Sequence, residues 1–226
     1  AKTELWNGSA WVTAQTANPA WWMLAAARGK RVGGRRMWGG GLPDSRIGLE
    51  NLKDFAAWCD AKRLSFNGVF DQQLTLQDML DSIALCGRAT VSNGSGKLEA
   101  VWDAPDQPVV AVIGMSNIQL DSFEIEYTTE NLADELVLSF INPDLDWQRD
   151  VVRQLAPGVT TPVRSRSIEL FGCTNADMAG RAVNLYLAGN EYRTRRYKWR
   201  MDWEAMPLSR GEVAAFSHDL ANYDYS

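Results

Sequence analysis

Histidine is nearly missing from this sequence: His218 is the only one among 226 residues. A Ser-His-Asp or Cys-His hydrolase would have to take that single side chain as its base, and no G-x-S-x-G elbow accompanies it. Cysteine is scarce and odd in number. Cys59, Cys86 and Cys173 lie far apart, which is no disulfide framework and points to a reducing compartment during folding. One histidine with three scattered cysteines offers no metal-ligand spacing either. The sequence therefore assigns no catalytic residue, no metal ligand and no cofactor, and His218 reads as an ordinary surface or loop residue. Long apolar runs are also lacking. None approaches the ~18 residues that span a bilayer, so no membrane insertion is expected of this stretch. The opening Ala1-Lys2-Thr3-Glu4 has no apolar signal core. An excess of positive charge is absent too: the formal charge of −5 gives no general attraction to nucleic acid or an anionic membrane.

What is present is an ordinary globular balance, 46% apolar and 23% charged, with an unusual load of ten tryptophans. Large rings suit cores and subunit interfaces, so the count leans toward assembly. The chain opens in mid-pattern and stops at Tyr223-Asp224-Tyr225-Ser226, which reads as a piece of a longer protein.

The first helix is well signalled. Asn18 is placed to cap it, Pro19 suits the first helical position, and Gly29 suits the left-handed stop. Residues 29–44 hold six glycines and read as a loop. A second helix covers Leu49 to Lys62, with Leu52, Phe55, Ala56 and Cys59 on one face. Ser65 to Phe70 reads as a short strand. Thr75 with Asp78 opens a third helix with Met79, Leu80, Ile83 and Ala84 as its buried stripe. Thr90-Val91 and Leu98 to Trp102 flank an Asn93-Gly94 hairpin turn, and Val109 to Ile113 adds a strand. In the second half Phe123, Ile125 and Tyr127 alternate with polar residues, and Leu136 to Ile141 is expected as that strand's partner. Arg164 to Phe171 is a further strand. Thr174 and Asp177 open a helix over about 175–189, with Met178, Ala182, Leu185 and Tyr186 inward. The alternation from Arg196 to Trp203 predicts a strong final strand, and Val213 to Ser217 an edge. The expected fold is α+β: an α+β unit over 1–117 with the Gly-rich loop 29–44, then a mainly antiparallel β domain over 118–226, a small barrel or sheet with one inserted helix.

Gly29-Lys30 follows a helix and no Ser or Thr comes after the lysine, so it is no P-loop; the glycines at 33, 34, 39, 40 and 41 make no G-x-G-x-x-G. Arg28, Lys30, Arg31, Arg35 and Arg36, interrupted by Trp38, form a basic cluster. Its two readings are contact with DNA and a charged loop in a subunit interface. The acidic chain favours the interface, making Arg28, Arg31, Arg35, Arg36 and Trp38 the candidate partner-contact residues. Arg193, Arg195, Arg196, Lys198 and Arg200 read as the solvated or partner-facing side of a strand. Asn142 to Trp147 lacks the EF-hand frame and reads as a polar turn. Glu124 with Glu126, or Glu130 with Glu135, would serve glycoside hydrolysis only if they faced one cleft. Trp21, Trp22, Trp199 and Trp203 are placed for core more than for sugar stacking.

Trp6-Asn7-Gly8, Asn18-Pro19-Ala20-Trp21, the Gly-rich turn and second helix, Cys59-Asp60, Phe66-Asn67-Gly68-Val69, Phe171-Gly172-Cys173-Thr174 and Arg210-Gly211-Glu212-Val213 follow in an order that resembles the central region of phage tail-tip proteins, the class typified by the tip attachment protein of lambda-like siphophages. The likeness runs from about Trp6 to His218. It implies a non-catalytic virion protein, made in the bacterial cytoplasm and placed at the tail tip. There it would form part of a baseplate hub that joins the tail tube to distal receptor-binding modules. It also implies other tail-tip and tail-tube proteins as partners, a homotrimer in the full-length assembly, and transient contact with DNA during ejection. Two departures, Gly29 to Ser45 in place of N-P-R-Y-G-x-G and only Ala61 to Leu64 where the family carries an insertion, suggest another branch, such as a gene transfer agent or defective prophage. The alternatives are a cell-surface carbohydrate-binding module, which needs exposed rings in one groove, and a cell-wall hydrolase domain.

Overall fold

The computed structural model describes residues 2–105, 107–127, 133–206 and 208–221. The chain forms two compact units: one from Ala1–Asp103, Val137–Gln154 and Ser167–Val183, the other from Ala104–Leu136, Leu155–Arg166 and Asn184–Ser226.

The first unit opens with a hairpin, β1 (Lys2–Trp6) and β2 (Trp11–Gln15), paired antiparallel. Asn7 makes its turn, its side-chain oxygen accepting from the Ser9 and Ala10 amides at 3.0 and 2.9 Å, with Gly8 at φ 98°. Helix α1 (Pro19–Arg28) starts as its sequence predicts. Asn18 accepts from the Ala20 amide at 3.0 Å and donates to the Ala56 carbonyl at 2.9 Å and the Asp60 carboxylate at 2.8 Å. The cap thereby also fastens α1 to α2 (Leu49–Ala61). The inward face of α2 is Leu52, Phe55, Ala56 and Cys59, as the spacing requires. Thr75 caps α3 (Leu76–Cys86): its hydroxyl accepts from the Asp78 amide at 3.1 Å and donates to the Asp78 carboxylate at 2.6 Å. Leu80, Ile83 and Ala84 are buried as expected, while Met79 is only half-buried and Cys86 completes the stripe. Helix α1 packs on both other helices. β5 (Ala89–Ser92) and β6 (Glu99–Trp102) form the hairpin that Asn93-Gly94 foretells.

Several expectations need correction. Ser65 to Phe70 is not a strand, because its amides reach single residues: Phe66 donates to the Ala17 carbonyl at 2.7 Å and Asn67 to the Gly172 carbonyl at 2.8 Å. Its apolar residues instead build a ring cluster of Phe66, Phe70 and Phe171, with centroids 5.1 to 6.0 Å apart. Leu136 to Ile141 lies in β9 (Glu135–Asn142), but its neighbours are β10 (Gln148–Leu155) and β11 (Ser165–Glu169), in the order β10-β9-β11. β9 and β10 are joined by the predicted polar turn, where Asn142 accepts from the Asp144 amide at 3.0 Å. Helix α4 (Ala176–Tyr192) is started by Asn175, whose side chain accepts from the Met178 amide at 3.0 Å. Met178, Ala179, Ala182, Val183 and Leu187 are its buried positions, whereas Leu185 and Tyr186 are exposed. The inward stripe is thus rotated from the predicted one.

In the second unit β7 (Val109–Ile113) pairs in parallel with β13 (Val213–Phe216), and β8 (Glu124–Tyr127) pairs antiparallel with β12 (Arg195–Lys198). The predicted final strand ends at Lys198, and Trp203–Ala205 is a single 3-10 turn instead. Side chains hold that departing segment. Gln119 donates to Asp202 at 2.6 Å, Asn117 donates to Glu204, and the Ser122 hydroxyl accepts from the Arg200 amide at 3.0 Å. Phe123, Tyr197, Trp199 and Phe216 stack on one another with centroids 5.2 to 6.4 Å apart. His218 belongs to this stack. It is 8% exposed, its ring lies 3.8 Å from Phe123, and its Nδ1 accepts from the Leu220 amide at 3.2 Å. Of the surface-or-loop reading of His218 the surface part fails, because its flat ring finishes an aromatic pile and is buried there. The fold is mixed α and β built on small sheets. The largest sheet among the described residues has three strands, and no barrel closes.

Candidate partner interface

Four of the five predicted contact residues lie on one projecting element. The stretch read as a loop contains a two-stranded antiparallel hairpin, β3 (Lys30–Val32) and β4 (Arg35–Trp38). Gly33 and Gly34 make its two-residue turn with φ of 58° and 80°, the double positive φ of a type I′ turn. The signal was in the sequence: Gly-Gly between two short non-glycine runs is a hairpin signature, masked by the glycines that follow.

Those later glycines root the hairpin. An α-helix leaves its last carbonyls without intrahelical partners. Here the Ala25, Ala26 and Ala27 carbonyls accept from the amides of Gly29, Gly40 and Leu42 at 2.8, 2.8 and 2.9 Å. The returning strand therefore completes the end of α1. Contact this close needs bare backbone: a Cβ on Gly29 would run into the Trp38 carbonyl oxygen, and one on Gly39 would sit 2.6 Å from the Ala26 carbonyl oxygen. Gly29, at φ 66°, could not carry a side chain without strain in any case.

Arg28 stands apart from the other arginines. Its guanidinium takes both Asp44 oxygens, at 2.8 and 2.9 Å, and Glu4 at 2.7 Å, and lies 5.2 Å over the Trp11 ring. It braces the root from inside the unit. Arg31, Arg35 and Arg36 make no ion pair with the described residues, although Arg36 donates to the Gly40 carbonyl at 3.0 Å. Arg31 and Arg36 are direct cross-strand partners. A Cβ on Gly41 would lie 3.5 Å from an Arg31 guanidinium nitrogen and 3.8 Å from one of Arg36, so both cations crowd one spot. Like charges directly opposite weaken a pair of strands. Every residue from Lys30 to Trp38 is exposed, and Val32, Met37 and Trp38 remain 56%, 65% and 43% exposed. An isolated two-stranded hairpin has little stability of its own. This one is an anchored projection that presents cations and apolar side chains together.

Three of the five residues in the second basic cluster are engaged within their own unit. Lys198 bonds Glu126 at 2.7 Å, Arg196 lies 3.7 Å from the same carboxylate, and Arg195 sits over the Tyr127 ring. The Lys198 hydrogen bond and charge, with Arg196 behind them, hold the Glu126 carboxyl below the usual range. A glycosidase acid needs the opposite shift. Glu130 lies outside the described residues. Burial pushes the Cys59 and Cys86 thiols far up and raises Cys173 too, so none is poised as a nucleophile. Among the described residues no group of three or more His, Cys, Asp or Glu side chains is arranged to hold a metal ion, and no helix is long and apolar enough to cross a membrane.

Comparison with solved structures finds the tail protein from Neisseria meningitidis MC58, with a TM-score of 0.53 and 16% identity over 78% of this chain and 58% of that one. A chain in the virion of a native gene transfer agent particle matches with a TM-score of 0.50 and 15% identity, over 87% of this chain and 50% of that one. A 43 kDa tail protein of prophage MuSo2 from Shewanella oneidensis is more distant, at 10% identity and a TM-score of 0.41. The chain thus spans between half and three-fifths of the length of the first two structures. No curated relative matches it. The family model Phage-tail_3, described as "Putative phage tail protein", matches residues 75–225, about two-thirds of the chain. This chain belongs to that family of phage tail proteins.

Proposed function

We propose that this chain is a non-catalytic part of the tail-tip or baseplate hub, in a phage, a prophage or a gene transfer agent, and that it works by holding other tail proteins. In the full-length assembly it forms a homotrimer that joins the tail tube to distal receptor-binding modules. The observation that carries this reading is the rooted β3–β4 hairpin. Arg31, Arg35, Arg36, Met37 and Trp38 are offered to a partner, while Arg28 and the glycines stiffen the base. Pre-organising an exposed element lowers the ordering cost of docking. The likeness of 87% of the chain to a component of a gene transfer agent virion supports the same reading. The carbohydrate-binding alternative asks for open aromatic rings side by side. The rings Phe123, Tyr197, Trp199 and Phe216 instead cover one another, and Trp203, expected in the core, is 82% exposed but has no ring partner among the described residues.

The test is immunogold imaging of particles from the source bacterium with an antibody to this chain. Label confined to the distal end of the tail is the expected result. Label along the tube, or tailed particles without label and the chain free or on the envelope, would refute the hub assignment.

A further inference from the structure

The first unit carries an acceptor that matches its own hairpin. Val69, Phe70, Leu74 and Phe171 line an open groove of about 250 Å³ that also touches Asp71 and Ser82. Val69 is 79% exposed, and Leu74 and Phe171 are 41% and 38% exposed, so the apolar wall of the groove is left in water, with Asp71, Gln72 and Ser82 as its polar side. A cavity of about 150 Å³ holds a benzene ring. The groove therefore has room for one large side chain such as an indole, and it falls short of the ~300 Å³ at which small-molecule sites begin. Its rim is acidic. Asp71 lines it and Asp78 stands one helical turn before Ser82 on α3; both carboxylates are exposed and neither makes an ion pair with the described residues.

The hairpin is the complement of this groove in both respects. It exposes Met37 and Trp38 beside Arg31, Arg35 and Arg36, and among the described residues the Trp38 ring has no ring partner and none of the three arginines an ion pair. We propose that the β3–β4 hairpin of one copy docks in the Val69–Leu74–Phe171 groove of a second copy of this chain, with Trp38 as the inserted anchor and Arg35, which the strand register places on the same face as Trp38, facing Asp71. Such a contact joins unlike surfaces, so it links copies head to tail, or in exchange when two copies swap hairpins. Aromatic and arginine anchors in a pocket, ringed by charge, are the usual makeup of an interface hot spot. A nucleic-acid backbone would use the arginines but leave the apolar half of the hairpin and the acidic groove without a role. The proposal rests on the reading of the chain as an assembly protein.

Two charge-reversal variants test it, both at exposed positions: Arg35→Glu on the hairpin, and Asp71→Lys at the groove. Asp78 is left intact because it takes part in the α3 cap, and Arg36 because it holds the loop. Sedimentation velocity over a concentration series is expected to show reversible self-association of the native chain. Each variant alone should associate at least about tenfold more weakly. An equimolar mixture of the two should recover association, since every hairpin then meets a groove of opposite charge. Trp38→Ala should weaken association in the native background. A native chain that stays monomeric, variants that associate unchanged, or a mixture that fails to recover would each overturn the proposal. So would salt-sensitive binding of a DNA oligonucleotide that only the hairpin variant loses, with no self-association. Distal immunogold label together with any of these outcomes leaves the hub reading standing and removes only this contact.

Discussion

At the scale of single residues, burial decides the chemistry. The Cys59 and Cys86 thiols are fully enclosed, and their ionisation is pushed upward mainly by desolvation. In the native chain a thiol reagent at neutral pH should leave Cys59, Cys86 and Cys173 unlabelled, and all three should react once the chain is unfolded. Mass spectrometry of the adducts distinguishes the cases. The sign of the linked pH effect follows. The folded state keeps these protons above the unfolded thiol value of about 8.5, so their contribution to stability is complete below that pH and is lost as pH rises beyond it. Denaturant midpoints measured at pH 7 and pH 10 should therefore fall. Asp134 shows the opposite case. The Arg164 side chain bonds it at 3.0 Å, and with the Arg164 and Val163 amides holds its carboxyl low. Its contribution is present above about pH 4 and disappears as pH falls through its folded value.

At the scale of elements, the most telling contacts are those by which one element finishes another. Asn18 caps α1 and ties it to α2 from a nearly buried position, so Asn18→Ala removes a cap and leaves polar partners unmet. The expected loss is about 1–3 kcal/mol in chemical denaturation. Gly29 is the joint between α1 and the hairpin. Gly29→Ala should release the hairpin without unfolding the three helices, which would be seen as rapid hydrogen exchange at Gly40 and Leu42 while the interior of α2 stays protected. The caps of α1 and α3 were legible because Asn, Pro and Thr act on atoms two or three residues away. The β3–β4 hairpin was legible in part: its Gly-Gly turn was visible, but a run of glycines hides which of them turn and which merely admit close backbone.

At the scale of the whole molecule, each compact unit is assembled from three stretches of chain. A fragment ending at Asp103 would lack the stretches that supply Leu138, Phe140, Met178 and Val183 to the buried set. It would also lose the Arg181 side chain that donates to the Lys62 carbonyl at 2.5 Å. That fragment should show no cooperative thermal transition by circular dichroism, in contrast to the full chain. The same long separations explain why β8 was given the wrong neighbour. Alternation tells a strand that one face is buried, but the partner that buries it, β12, is some seventy residues away and carries no local mark.

By itself the sequence determined the helices, the caps of α1 and α3, two of the turns and the membership in a tail-protein lineage, because capping, helical spacing and short motifs act over a few residues and survive without knowledge of the fold. Only the tertiary structure decided that His218 is buried in a ring stack, that Arg28 is spent inside its own unit while Arg31, Arg35 and Arg36 make no ion pair with the described residues, and that a groove opens beside Asp71. Each of those depends on which distant side chains arrive at the same place. Charge and hydropathy along the chain cannot specify this, since burial and pairing are properties of position in space.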